Sequence, residues 1–189
     1  DKEFEYIRLA LLFHDLGKSE CKTTDTDGTD HFHGHARISE ELSRSIMKRL
    51  KFDNDSIKVV SALVKYHDSR PEAEPAQVRR AMNRMGRDVL RLLFFVQEAD
   101  IMGQSDYLKE EKLDHLSRLR KVYAQVVEEG DPISVSDLAV NGGDLKEMGI
   151  EPGPLMGEIL RKLLELVLEE PSCNTKDILR EKIREMISQ

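Results

Sequence analysis

The chain has 189 residues, with 29 Lys and Arg against 36 Asp and Glu, a formal net charge of −7 and 39% apolar residues. That length holds one or two domains, and the apolar fraction supplies a sizeable core even without a single Trp. The acidic balance excludes a protein that coats nucleic acid by charge alone, because non-specific phosphate binding is carried by accumulated Lys and Arg.

Two cysteines, Cys21 and Cys173, stand far apart and form no CxxC pair, which fits a reducing compartment and gives no thiol metal site. No apolar run approaches the length of about 20 residues that crosses a bilayer, and the start DKEFEY has no basic n-region. A cytoplasmic protein with no membrane partner is expected. Residue 1 is Asp and an apolar pattern begins almost at once, so the chain reads as a segment of a longer protein.

Helical periodicity dominates and no sustained alternating run of β-branched residues occurs, so the fold class is all-α. The first helix is expected over residues 3 to 15, with Ile7, Ala10, Leu11 and His14 on one stripe, stopping at Gly17. A polar loop, CKTTDTDGTDHF, follows. Four-residue apolar steps predict helices over 34 to 51 and 55 to 67, the second ending on His67. Beyond Pro71 and Pro75, residues 76 to 85 and 87 to 104 read as two helices hinged near Gly86, and KEEKLDHLSRLRKVYAQVVEE as another.

Gly130, Asp131 and Pro132 punctuate the chain and place a boundary near residue 131, giving a bundle over 1 to 130 and a smaller helical tail over 131 to 189. In the tail a short helix is expected near Asp144 to Met148, then the turn GIEPGP and an amphipathic helix to Glu170. Asn174, three residues before Asp177, reads as the N-cap of the last helix.

His14 and His67 continue the apolar stripes of their helices. Asp100 is backed by Leu93 and Val96 at helical spacing, and Asp15 by Leu11 and Leu12. A lone His or Asp on an apolar face is usually a hydrogen-bonded core residue. A buried carboxylate without a partner costs several kcal/mol, and two carboxylates with imidazoles facing one interior point to a metal. Imidazole suits transition metals and carboxylate suits Mg and Mn, so a divalent Mg, Mn or Ni ion is expected.

The segment LALLFHDLGK, with adjacent His14 and Asp15 and trailing Gly17 and Lys18, resembles the signature of the HD superfamily of metal-dependent phosphohydrolases. HFHGH ends in His35, KYHD offers His67 and QEAD ends in Asp100, in the order of that family's later histidines and closing aspartate. With GHARISEELSRSIMKRLKFDND, VRRAMNRMG, QEADIMGQSDY and the tail DLAVNGGDLKEMGIEPGPLMGEILRKLLELVLEEP, nearly the whole chain resembles the C-terminal half of bacterial CCA-adding tRNA nucleotidyltransferases, also called the poly(A) polymerase family.

That resemblance implies an HD-domain helical bundle followed by a helical tail, with His14, Asp15 and Asp100 as ligands of the principal metal. It implies that His35 and His67 lie near a second position or contact phosphate. A nucleotide monoester or a cyclic 2′,3′-phosphodiester is the implied substrate, and tRNA the partner of the parent protein. Two positions depart from the pattern: residues 1 to 13 contain no His to supply a further ligand, and Tyr66 stands where some two-metal relatives carry a second His. Chemically such a site acidifies water for in-line attack on a phosphoester. Lys18 is placed to neutralise the charge that develops, and His35 or His67 to orient phosphate or protonate the leaving oxygen.

Nucleotide addition needs a head with a Gly-rich strand-turn and paired carboxylates on a sheet. This sequence shows neither, so the chain alone is not expected to polymerise. Arg80, Arg84, Arg87 and Arg91 recur at helical spacing, either as an RNA-backbone contact or as an exposed charged face. His31 and His33 read as loop residues and His115 as a solvated one. A non-catalytic RNA-positioning module and a stand-alone nucleotidase are the alternatives to a phosphohydrolase region.

Overall fold

The computed structural model describes residues 1–188, and its architecture is all-α. The first helix, α1 (Lys2–Phe13), starts on the Asp1 side chain, which accepts a hydrogen bond from the Glu3 amide, and Glu3 and Glu5 complement the helix dipole in its first turn. It ends at Phe13, two residues short of the expected end, and His14 to Gly17 form a tight turn closed by Leu16 N–H to Phe13 O and Lys18 N–H to Asp15 O.

Gly17, expected to stop the helix, has φ −76°, which any residue adopts. The glycine is required for space. A Cβ at this position would lie 2.6 Å from the His35 carbonyl oxygen and 2.8 Å from both the Ser39 nitrogen and the Ile38 Cβ. After a one-turn helix, α2 (Lys18–Cys21), the expected loop carries a small antiparallel hairpin, β1 (Thr23–Thr24) with β2 (Asp30–His31), in which Thr23 faces His31. Strands this short leave no alternating pattern to read in the sequence.

Next come α3 (His35–Arg49), α4 (Asn54–Tyr66), α5 (Pro75–Met85), α6 (Arg87–Gly103) and α7 (Lys109–Glu129). The α4 cap is strong. Asp53 accepts from the Ser56 amide at 2.9 Å and the Ser56 hydroxyl at 2.6 Å, and these bonds hold its carboxyl down to about 2. The chain continues through α8 (Gly142–Glu147), α9 (Pro154–Glu169) and α10 (Lys176–Ile187), with single 3₁₀ turns at Val135–Asp137 and Pro171–Cys173.

Contacts group the chain into two compact units. One comprises Asp1–Pro71 with Met85–Arg120, the other Glu72–Arg84 with the chain from Lys121 onward. The grouping thus differs from a single cut near residue 131. In the first unit α1, α3, α4 and α6 pack on one another through Phe13, Met47, Val60, Leu63, Leu93 and Val96. Ala10, Ser39, Ser43 and Ser61 are fully buried between these helices. Truncating a buried leucine such as Leu63 or Leu93 to alanine would cost about 2–5 kcal/mol.

The second unit has its own core of Val140, Leu145, Ile159, Leu163, Val167, Leu179 and Ile183. Asn141 and Asp144 cap α8 reciprocally, which starts it two residues earlier than expected. The cap of α10 is Thr175, whose hydroxyl accepts from Ile178 N–H, and not Asn174. The Asn174 amide is committed elsewhere: it accepts from Ala139 N–H at 2.8 Å and donates to Asp137 O at 2.9 Å. Among the described residues no helix is long and apolar enough to cross a membrane.

Candidate metal centre

Four helix ends of the first unit converge. His14 and Asp15 follow the C-terminus of α1, His35 opens α3, His67 follows the C-terminus of α4, and Asp100 lies in the last turn of α6. The hydrogen bonds of Gly17 bind the first pair to α3: its N–H donates to the buried Ser39 hydroxyl at 2.9 Å, one helical turn beyond His35.

The three histidines are oriented alike. His14 Nδ1 meets Leu11 O at 2.8 Å, His35 Nδ1 meets Phe32 O at 2.9 Å, and His67 Nδ1 meets Val64 O at 2.7 Å. A carbonyl oxygen only accepts, so each Nδ1 carries the proton and each neutral ring presents a bare Nε2 lone pair. A backbone carbonyl held on the other ring nitrogen fixes the tautomer and direction of metal-ligating imidazoles in this way.

The Nε2 atoms point at one another and at carboxylates. His35 and His67 approach to 3.0 Å at Nε2, with their ring planes at 70°. Asp15 Oδ1 lies 3.5 Å from His35 Nε2 and 3.8 Å from His67 Nε2. One ligand atom each from Asp15, His35 and His67 falls within 4.8 Å of the others, a spacing that could hold a metal ion. On the other carboxylate oxygen, Asp15 Oδ2 lies 3.3 Å from His14 Nε2 and accepts from Lys18 Nζ at 2.7 Å, while His14 Nε2 is also 3.4 Å from Asp100 Oδ1.

Acceptors facing acceptors at these distances repel unless positive charge lies among them, so the donor set fits a divalent cation. Without an ion, a proton supplies that charge at His14: Asp100 raises its imidazole above the ordinary value by accepting its hydrogen bond, against the lowering effect of burial. His14 in turn lowers the Asp100 carboxyl. His67, only 4% exposed, is pushed down chiefly by burial.

All six residues expected at the site from sequence (His14, Asp15, Lys18, His35, His67 and Asp100) are brought together. The ion-spaced trio includes His35 and His67, which the resemblance placed near a second position or on phosphate, and leaves His14 on the far oxygen of Asp15 with Asp100 beside His14. Asp68 is an addition that sequence reasoning missed: its Oδ2 lies 3.2 Å from His35 Nε2 and 3.4 Å from His67 Nε2. Its signal was present, since His67 and Asp68 form a second adjacent His-Asp pair. Gln97 was missed too; its buried amide donates to His67 O and Ser69 O.

The arginine row is not continuous. Gly86, at φ +93°, ends α5 and opens α6, so Arg80 and Arg84 belong to one compact unit and Arg87 and Arg91 to the other. Arg80 is paired with Glu165 and Glu169, and Arg91 with Glu3. Arg84 and Arg87 also have partners. Arg79 is the arginine the sequence overlooked: it is 5% exposed and donates to Leu168 O, Glu169 O and Asp131 Oδ2. His31 pairs with Asp25 at 2.6 Å and stacks on His33, and neither belongs to the ion-spaced trio. His115, expected to be solvated, is half-buried and bonded to Pro71 O at 3.1 Å.

Fold and site thus define an all-α domain with a His and Asp centre built on helix ends. Residues 31–183 match the family model of tRNA nucleotidyltransferase domain 2, and the chain belongs to that family. It is 34% identical over 163 residues to the A-adding tRNA nucleotidyltransferase of Deinococcus radiodurans, a match covering 84% of this chain and 37% of that protein. To the CC-adding tRNA nucleotidyltransferase of Thermus thermophilus it is 31% identical over 163 residues, covering 86% and 36%. The chain therefore spans little more than a third of the length of these relatives. No solved structure matches it significantly.

Proposed function

We propose that this region is an HD-type, metal-dependent phosphohydrolase domain within a protein that acts in tRNA 3′-end synthesis or repair. The observation that supports it best is the orientation of His14, His35 and His67. Each Nδ1 is spent on a backbone carbonyl and each Nε2 faces the Asp15 carboxylate. In this reading Asp15 is the common ligand, with His35 and His67 on the side of one oxygen and His14, itself beside Asp100, on the side of the other.

A divalent cation such as Mg, Mn or Ni, when bound, supplies Lewis acidity that polarises a phosphoryl oxygen and acidifies water. The chain's own groups do the rest. Lys18 Nζ, already at the Asp15 carboxylate and 41% exposed, balances the charge that develops on a phosphoester oxygen. Leu11, Phe32 and Val64 carbonyls hold the three rings in register, so the lone pairs need no reorganisation on binding. The names of the relatives support tRNA as the partner, and contact through Arg80, Arg84, Arg87 and Arg91 is part of the proposal.

The test is hydrolysis of 2′,3′-cyclic nucleotide or an activated phosphodiester by the purified chain with Mn, Ni or Mg. Metal-dependent turnover that Asp15→Ala or Asp100→Ala abolishes is expected. Rates at the metal-only background would overturn the phosphohydrolase reading and favour a non-catalytic module that positions RNA.

A further inference from the structure

We propose that Asp68 is a further ligand of the cation centre, adding a carboxylate to the imidazole pair of His35 and His67. The inference rests on reading the cluster as a cation centre. Asp68 Oδ2 stands 3.2 Å from His35 Nε2 and 3.4 Å from His67 Nε2, nearer to both than Asp15 Oδ1 at 3.5 and 3.8 Å. Neither nitrogen has a proton to give in the neutral ring, because Phe32 O and Val64 O take the Nδ1 protons. The carboxylate therefore meets two lone pairs, an arrangement that favours a cation among the three atoms.

The position of Asp68 is built. Gln97, 3% exposed on α6, donates one amide group to both carbonyls that flank it, His67 O at 3.0 Å and Ser69 O at 2.8 Å. Ser69 N–H closes the same turn on Tyr66 O at 2.8 Å. The backbone on either side of Asp68 is thus fixed by a buried side chain of the helix that also carries Asp100. The carboxylate itself is 54% exposed, so it lies on the solvent side of His67, where an ion arrives.

A pair of imidazoles with carboxylate suits a transition ion better than Mg, whose preference is for oxygen ligands alone. Mn(II) and Ni(II) are the probes, titrated into the purified chain by calorimetry or against a fluorescent chelator. Asp68→Ala should weaken binding by about 10- to 100-fold, the range typical of a residue supporting a metal site. Glu41→Ala, which removes the same charge from an exposed position on α3, should leave binding unchanged. A folded Asp68→Ala protein that binds as tightly as wild type overturns this proposal and leaves the cation centre standing. Equal weakening by Glu41→Ala also overturns it, since net charge then explains the loss. Wild-type protein that binds neither ion overturns both.

Discussion

Gly17 lies against the first turn of α3 so closely that a Cβ on it would stand 2.6 Å from the His35 carbonyl oxygen. The contact explains how residues 20 positions apart share one site. With no side chain between them, the turn carrying His14, Asp15 and Lys18 meets the helix that begins with His35, and Gly17 N–H to Ser39 Oγ closes the junction.

Gly17→Ala must therefore displace backbone, since the His35 oxygen and the Ser39 nitrogen are not the ends of flexible chains. Overpacking of this kind costs about 1–3 kcal/mol. Urea denaturation should show a loss in that range, with weaker Mn(II) binding in the protein that remains folded. Wild-type stability would contradict the close-packing account.

Asp100 and His14 give the metal-free protein a pH signature. The folded His14 value is raised above 6.5, so its contribution is fully present below about pH 6.5 and is lost as pH rises through the raised value. The Asp100 carboxyl is lowered from 3.8, so its contribution is present above pH 3.8 and is lost as pH falls through the lowered value. His67, lowered by burial, adds stability as pH rises toward 6.5. In chelator, thermal melts should show wild type losing stability above pH 6.5 relative to Asp100→Asn. A constant difference between the two from pH 5 to 9 would remove the His14–Asp100 interaction from the account.

Arg79 holds the second unit. Its fork donates to two carbonyls at the end of α9 and to Asp131 at 2.7 Å. Arg79→Met strands all three acceptors and should cost about 3–5 kcal/mol, as breaking a buried pair does. Arg79→Lys should recover only part of this, because an ammonium cannot reach three acceptors in one plane. Full recovery by lysine in denaturant melts would contradict the fork geometry.

The sequence resolved helices to within two or three residues because their apolar periodicity is strong, as in α4, where Ile57, Val60 and Val64 are all buried. It placed His14, His67 and Asp100 inward by the same periodicity. What it could not show depended on tertiary distance. Of two neighbouring arginines, only the fold reveals that Arg79 points inward and Arg80 outward. The role of Gly17 is set by α3, not by its own helix. Asp68 follows His67, the last residue on the α4 stripe, so no apolar period marks it and only its adjacency to His67 pointed to it. The division of the arginine row comes from Gly86, which the sequence marked as a hinge but could not open.

The central claim is that the Asp15 carboxylate is the ligand shared by a cation centre. Crystals of the chain soaked in Mn(II), with anomalous diffraction recorded near the Mn edge, test it most directly. The prediction is an anomalous peak within coordination distance of an Asp15 oxygen and of at least one of His14, His35 and His67 Nε2. No peak at Asp15, or one held only by the exposed acidic surface, would contradict it.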